Sequence, residues 1–154
     1  MSDSTRQEIL AEIISRLEGI RRTAGYQTDI GARVVIGEVP VFSEGDEEQW
    51  LSVEPSDSDI NHSMENVGAE WIVEVQAMSR ADAESPWLTI EALIADVCKA
   101  IENDSDGETD RDLGGLCIEI RKASDRIIKR EAGSDYVGAA VGYRILFGRP
   151  WGTP

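Results

Sequence analysis

Apolar residues recur every three or four positions across residues 4–23. Ile9, Leu10, Ile13, Ile14, Leu17 and Ile20 fall on one stripe, the pattern of an amphipathic helix. Thr5 and Glu8 suit a capping box at its start, and Gly25 suits a left-handed residue that stops it. The pattern then changes period. Arg33 to Val41 reads as a strand with Gly37 as a bulge, after which "SEGDEEQ" reads as an acidic turn. In "WLSVEP", Trp50, Ser52 and Glu54 alternate with Leu51 and Val53, as in a short strand. "SDSDINHSMENVG" reads as a polar loop. "AEWIVEVQAMS" is the clearest strand of this half. Trp71, Val73, Val75 and Ala77 share one face, and Glu70, Ile72, Glu74 and Gln76 share the other.

A second helical pattern fills "SPWLTIEALIADVCKAIEND". Ser85 can cap it, Pro86 suits its first turn, and Leu88, Ile90, Leu93, Ile94, Val97, Cys98 and Ile101 make a broad apolar face. Three strand-like runs follow the hydrophilic "NDSDGETDRDLGG": "LCIEIRK", "DRIIKRE" and "DYVGAAVGYRILFG". In the last, Val137, Ala139, Val141, Tyr143, Ile145 and Phe147 alternate over an unusual length, with Gly138 and Gly142 as places to bend. The order is helix, three strands, helix, three strands. It predicts an α+β domain, with two helices packed on one face of a mostly antiparallel sheet. Residues 1–148 form this single domain and 149–154 a short C-terminal tail.

Charge narrows the function. The chain of 154 residues carries a net charge of -15, so its surface repels phosphate backbones and disfavours sequence-specific nucleic-acid binding. No apolar run is long enough to span a membrane, and the polar start "MSDSTRQEIL" has no signal-peptide core. Cys98 and Cys117 read as reduced core residues rather than a disulfide framework.

Candidate chemistry is sparse. His62, the sole histidine, sits among polar residues with no nucleophile beside it. No phosphate loop, paired CxxC or hydrolase motif occurs, so no catalytic residue, metal site or cofactor is expected and the chain is not read as an enzyme. "ENDSDGETDRDL" comes nearest to a calcium loop. Aligned on Gly107, it places Glu102, Asp104, Asp106, Glu108 and Asp110 near ligand positions, but Leu113 stands where a bidentate Glu is needed. Trp50, Trp71 and Trp87 lie at or beside element starts, as core or staple residues do. Trp151, between Pro150 and Gly152, suits an apolar anchor on a neighbouring subunit.

The stretch "AGYQTDIGARVVIG" between the first helix and the first strand carries a resemblance. With the closing strand "VGAAVGYRILFG" and the order of elements, it is similar to the tail-terminator-like minor tail proteins of tailed bacteriophages, which end the tail tube where it joins the head. The matching positions are Gly25, Tyr26, Thr28, Asp29, Gly31 and Val34. The long acidic connections and "RPWGTP" depart from the family pattern. Read from its residues, the stretch is structural: Gly25 and Gly31 are turning points, Thr28 and Asp29 can bond local backbone, and Tyr26 can close over the core.

The resemblance implies a homo-hexameric ring seated on the tail tube protein. Such a ring ends tube polymerisation and offers a surface to a head connector or neck protein. It implies a virion location at the head-proximal end of the tail, after assembly in the host cytoplasm. Trp50, Trp151 and Arg144 are candidate subunit or partner contacts. Asp104, Asp106, Glu108 and Asp110 are candidates for an acidic lumen that DNA slides through. Two alternatives stand beside this reading: another head–tail connector or neck protein, and a cytoplasmic α+β binding module with or without a calcium response.

Overall fold

The computed structural model describes residues 5–37, 49–62, 66–80, 86–104, 106–128 and 136–150. Helix α1 (Thr5–Glu18) leads through two single 3-10 turns, Arg22–Ala24 and Ile30–Ala32, into β1 (Val34–Ile36). Strands β2 (Gln49–His62) and β3 (Asn66–Arg80) form a long hairpin. Helix α2 (Pro86–Glu102), β4 (Glu119–Ile128) and β5 (Tyr136–Pro150) complete the chain. The sheet order is β1-β2-β3-β5-β4. All pairs are antiparallel except β1 with β2. The α+β class and the helix–strands–helix–strands order match the sequence reading.

The apolar stripes explain the layers. Ile9, Ile13, Leu17 and Ile20 from the α1 segment join Leu93, Val97 and Ile101 of α2. They pack against Leu51, Val53, Trp71, Val73, Val75, Val141, Tyr143, Ile145 and Phe147 in one core. These strand residues are the inward-facing alternate set, while Ile72 on the other face is 43% exposed. At these areas, each fully buried Leu, Ile or Val contributes about 1.5–3 kcal/mol. Trp71 is fully buried, and its indole N–H donates to the Ser56 carbonyl at 2.6 Å. Trp87, by contrast, is 63% exposed at the start of α2 and is no core staple.

Several boundaries differ from the sequence pattern. Helix α1 stops at Glu18 rather than near residue 23. Gly19 weakens the helix there, and Gly19 and Ile20 donate to the carbonyls three residues back, which tightens the last turn. Gly25 therefore caps the first 3-10 turn, at φ 91°, and not α1. Strand β1 ends at Ile36, because Gly37 turns to φ 67° while its N–H donates to the Val53 carbonyl at 2.8 Å. Residues 38–41 of the expected strand, residues 43–48 of the expected acidic turn 43–49 and the capping Ser85 lie outside the described residues, and Gln49 opens β2 instead of closing the turn.

The expected polar loop after residue 55 is mostly strand. Ser58 to His62 pair with Trp71 to Val67, and Asn66 to Trp71 pair in turn with Pro150 to Ile145. Pairing with a distant strand has overridden the local polar composition. The two short runs expected after residue 115 also merge. Leu116 to Ile118 precede the strand, and Glu119 to Ile128 form one β4 with a bulge between Lys122 and Ser124. The bulge faces Gly142, where a Cβ would stand 2.7 Å from Ser124 Oγ. The sheet consequently has five strands among the described residues, not six.

Gly31 makes the tightest approach to backbone among the described glycines. Its N–H donates to the Ile20 carbonyl at 3.2 Å. A Cβ there would meet the Leu17 carbonyl oxygen and come within 2.9 Å of both Ile20 N and Ile20 O. Gly31→Ala is expected to lower unfolding stability by about 1–3 kcal/mol, the cost of overpacking against rigid backbone. Chemical denaturation read by Trp fluorescence checks this; equal stability of the variant and the parent would refute so close a stacking.

Candidate functional site

The sequence-marked turn, residues 25–31, is held by a residue that the strand and turn patterns did not single out. Asp96 lies on the apolar face of α2 and is 2% exposed. Its carboxylate accepts three hydrogen bonds from the turn: from Gln27 N–H at 3.0 Å, Thr28 N–H at 2.7 Å and Thr28 Oγ1–H at 2.6 Å. A buried carboxylate needs such partners to offset its lost hydration. The one available signal was a carboxylate between Leu93 and Val97 inside an apolar stripe.

The other turn residues act as structure. Gly25 holds its left-handed φ, and its carbonyl accepts Lys99 Nζ at 3.0 Å. Lys99 also lies 4.6 Å from the centre of the Tyr26 ring, a cation–π distance. Tyr26 packs at the margin of the core. Asp29 Oδ1 accepts the Arg22 N–H at 2.8 Å, closing the turn locally. Thr28 differs from a purely local bond, because its hydroxyl goes to Asp96 across the fold.

A second charged clasp joins α1, α2 and the acidic loop. The Arg16 guanidinium bonds Glu12 at 2.9 Å, the carbonyls of Ile101 at 3.0 Å and Asn103 at 3.1 Å, and Asp110 at 2.6 Å. Arg16 thus satisfies carbonyls at the C-terminal end of α2, where a cation also suits the helix dipole. Asp110 is held far below the usual carboxylate range, at about 2. The hydrogen bond from Arg16 is the main cause; partial burial opposes it, and the Asp112 N–H reinforces it.

This clasp changes the acidic loop. Asp104 Oδ1 accepts the N–H groups of Asp106 at 2.9 Å and Glu108 at 3.0 Å. Asp110 accepts the N–H groups of Asp112 at 3.2 Å and Gly114 at 3.0 Å as well as Arg16. Gly107 sits at the tip at φ 79°. Leu113, in the position a calcium loop gives to Glu, is buried with φ 51°. Asp104 and Asp110 therefore order the loop itself, and Glu102 bonds the Tyr143 hydroxyl at 3.3 Å. Among the described residues, no group of three or more His, Cys, Asp or Glu side chains is placed to hold a metal ion. Asp106 and Glu108 point to solvent.

The candidate contact residues are dispersed. Trp50 is 6% exposed and its ring lies 5.6 Å from the Tyr136 ring, tilted at 57°, so it packs within its own subunit. Arg144 lies on the sheet face away from the helices, exposed, with Nε 2.6 Å from Glu70 Oε1. Trp151 lies outside the described residues. His62 belongs to β2, opposite Val67, rather than to a loop. Both cysteines are free thiols. Burial pushes Cys98 up and Cys117 up to about 11, so neither is a thiolate at neutral pH. Burial raises the Tyr143 hydroxyl as well. A cleft of about 450 Å³ lies between the acidic loop and β4, lined by Glu102, Thr109, Arg111, Glu119 and Lys122 among others. Its wall mixes both signs of charge and offers no activated nucleophile.

No protein-family model matches the chain. No curated protein matches it either. Among solved structures, it is similar to a chain of the virion of a native gene transfer agent particle. The TM-score is 0.63 at 17% identity, covering 90% of this chain and 93% of the other. At that identity the likeness shows a shared fold over nearly the whole length.

Two outcomes follow from the clasps. Asp96→Ala strands the buried Thr28 N–H and hydroxyl and the part-buried Gln27 N–H, and is expected to cost about 3 kcal/mol; Asp96→Asn, which keeps one acceptor, should cost less. Thermal melting that ranks the two variants equally would contradict this. For Asp110 the folded carboxyl ionises at lower pH than the unfolded one, ordinarily near 3.8. Its contribution is then fully present above about pH 4 and lost as pH falls towards 2. Asp110→Asn should therefore narrow the stability difference between pH 4 and pH 2 measured in urea. An unchanged pH slope would show that Asp110 is not so held.

Proposed function

We propose that this chain is a structural, non-enzymatic virion protein of a phage-like particle, and within that class the tail terminator. It forms a homo-hexameric ring on the last ring of the tail tube, stops polymerisation and presents a surface to the head connector. The observation that carries the reading is the fold shared over nine-tenths of both chains with a chain of a gene transfer agent virion. The turn Gly25–Tyr26–Thr28–Asp29–Gly31, similar to the terminator pattern, supports the narrower assignment. The net charge of -15 suits a passage through which DNA must slide without sticking. Asp106 and Glu108 are the exposed acids of the loop best suited to face that passage, with Asp104 and Asp110 shaping it.

The thiols of half-buried Cys98 and buried Cys117, both raised by burial, offer no ready nucleophile, which supports a non-catalytic role. Partners in this reading are other copies of the chain, the tube protein and the connector. The same fold also suits another neck protein, and the test below separates the two.

The purified chain, of 16.9 kDa, is measured by light scattering and negative-stain imaging, alone and with tail tubes and heads of its particle. A ring of about six subunits that caps one end of the tube and fixes its length is the expected result. A ring that binds the head and leaves tubes uncapped would reassign the chain to the neck. A species that stays monomeric and binds neither would overturn the virion reading.

A further inference from the structure

We infer that α2 of one copy packs lengthwise on the open face of the sheet in the next copy, along β5. The inference rests on the ring reading above and names the two surfaces that meet in that ring.

The open face is the side of the sheet away from α1 and α2. It is partly apolar, since Ile72 and Leu146 are exposed there. Ile118 joins them: a Cβ on Gly148, on the same face, would stand 3.6 Å from Ile118 Cδ1. The charges beside these residues balance, in a chain of net charge -15. Arg144 pairs with Glu70 at 2.6 Å, Arg121 with Glu119 at 2.7 Å and Arg126 with Glu74 at 3.0 Å. Glu70, Glu119, Arg121 and Arg144 frame a groove of about 180 Å³ at Leu146. Exposed pairs of this kind contribute little to stability, so an incoming carboxylate can take a share of their cations at little cost.

The second surface is the outward stripe of α2. Trp87, Glu91 and Ala95 recur every four residues and are exposed. Leu88, beside Trp87, is 70% exposed. Tryptophan and arginine are the residue types enriched among the anchors of protein interfaces, and here one surface presents the first and the other the second.

The two surfaces match in spacing. Four residues of helix advance about 6 Å, and two residues of strand advance about 6.6 Å. Along β5 the positions on the open face run Leu146, Arg144, Gly142; along α2 the stripe runs Trp87, Glu91, Ala95. With α2 antiparallel to β5, Trp87 covers Leu146, Glu91 reaches Arg144 and Ala95 falls over Gly142. Apolar meets apolar and acid meets cation. Over Gly142, which is flanked by Glu74 and Ser124, the short side chain of Ala95 meets none on the strand. The stripe lies on the helical layer and its receptor on the opposite face. Each copy therefore offers a different surface to each neighbour, the heterologous contact that a closed ring requires.

The test is a charge swap in the full chain at moderate salt, read by light scattering and negative-stain imaging, with circular dichroism as the check on folding. Glu91→Arg should disperse the rings, and adding Arg144→Glu to the same chain should restore them. Separately, Trp87→Cys with Leu146→Cys, treated with a short bismaleimide, should give a ladder of covalent multimers that neither change gives alone. Rings that survive Glu91→Arg, rings lost and not restored by Arg144→Glu, or intact rings that yield no ladder would overturn the contact and leave the ring reading in place. A parent chain that makes no ring, alone or on tail tubes, would overturn both.

Discussion

The carboxylate of Asp96 gathers two backbone N–H groups and a hydroxyl from the turn after α1, and much of the fold's layout depends on that grip. The turn must leave α1 abruptly, pass under its last residues and enter β1 in register with β2. With Asp96 fixed in α2 by its burial beside Leu93, Val97 and Ala100, the turn has one place to be. Gly31 then fits against Leu17 and Ile20 because it has no side chain to exclude. Arg16 makes the reciprocal tie, from α1 to the end of α2. Two opposite charges withdrawn from water therefore hold one helix to the other, and each is costly to strand without its partners. The apolar stripes bring the helices onto the sheet; the charges determine how they sit.

This division explains what was legible in the chain. Period-based features survived well. The α1 stripe, the inward set Trp71–Val73–Val75–Ala77 and the alternation from Val137 to Phe147 all appear as core. These signals are local, and burial reads them directly. What failed was set by distant partners. Ser58 to His62 look like loop residues because nothing near them in sequence demands a strand; β3 and, beyond it, β5 supply the ladder. The break expected inside β4 became a bulge because Gly142 makes room opposite Ser124. Asp96 escaped notice for the same reason: its three donors lie some seventy residues away in sequence.

The acidic loop shows how a suggestive composition can be misleading. Five carboxylates around a glycine suggest cation binding, yet Asp104 and Asp110 are turned onto backbone N–H groups of the loop and Asp110 also onto Arg16. A carboxylate so engaged would have to abandon several bonds to serve an ion. The turned-in acids act on folding and the outward ones on the surrounding field. The outward ones are Asp106 and Glu108.

Under the proposed ring reading, a chain of net charge -15 must contain a surface where its own charge does not forbid contact. Like-charged copies repel over about 8–10 Å at moderate ionic strength, so association needs a local exception. The helical layer uses Asp96 and Arg16 in internal ties and leaves Glu8, Glu18 and Glu91 exposed. The edge strand β4 comes nearest to such an exception, since it carries Arg121, Lys122 and Arg126 against Glu119 and Asp125. Screening removes the distant repulsion between copies before it weakens a close charge pair, so under the ring reading moderate salt is expected to favour assembly and high salt to weaken it, which light scattering over a salt series checks. A ring population that grew steadily with salt would argue that net repulsion, and not attraction between close charges, governs the contact.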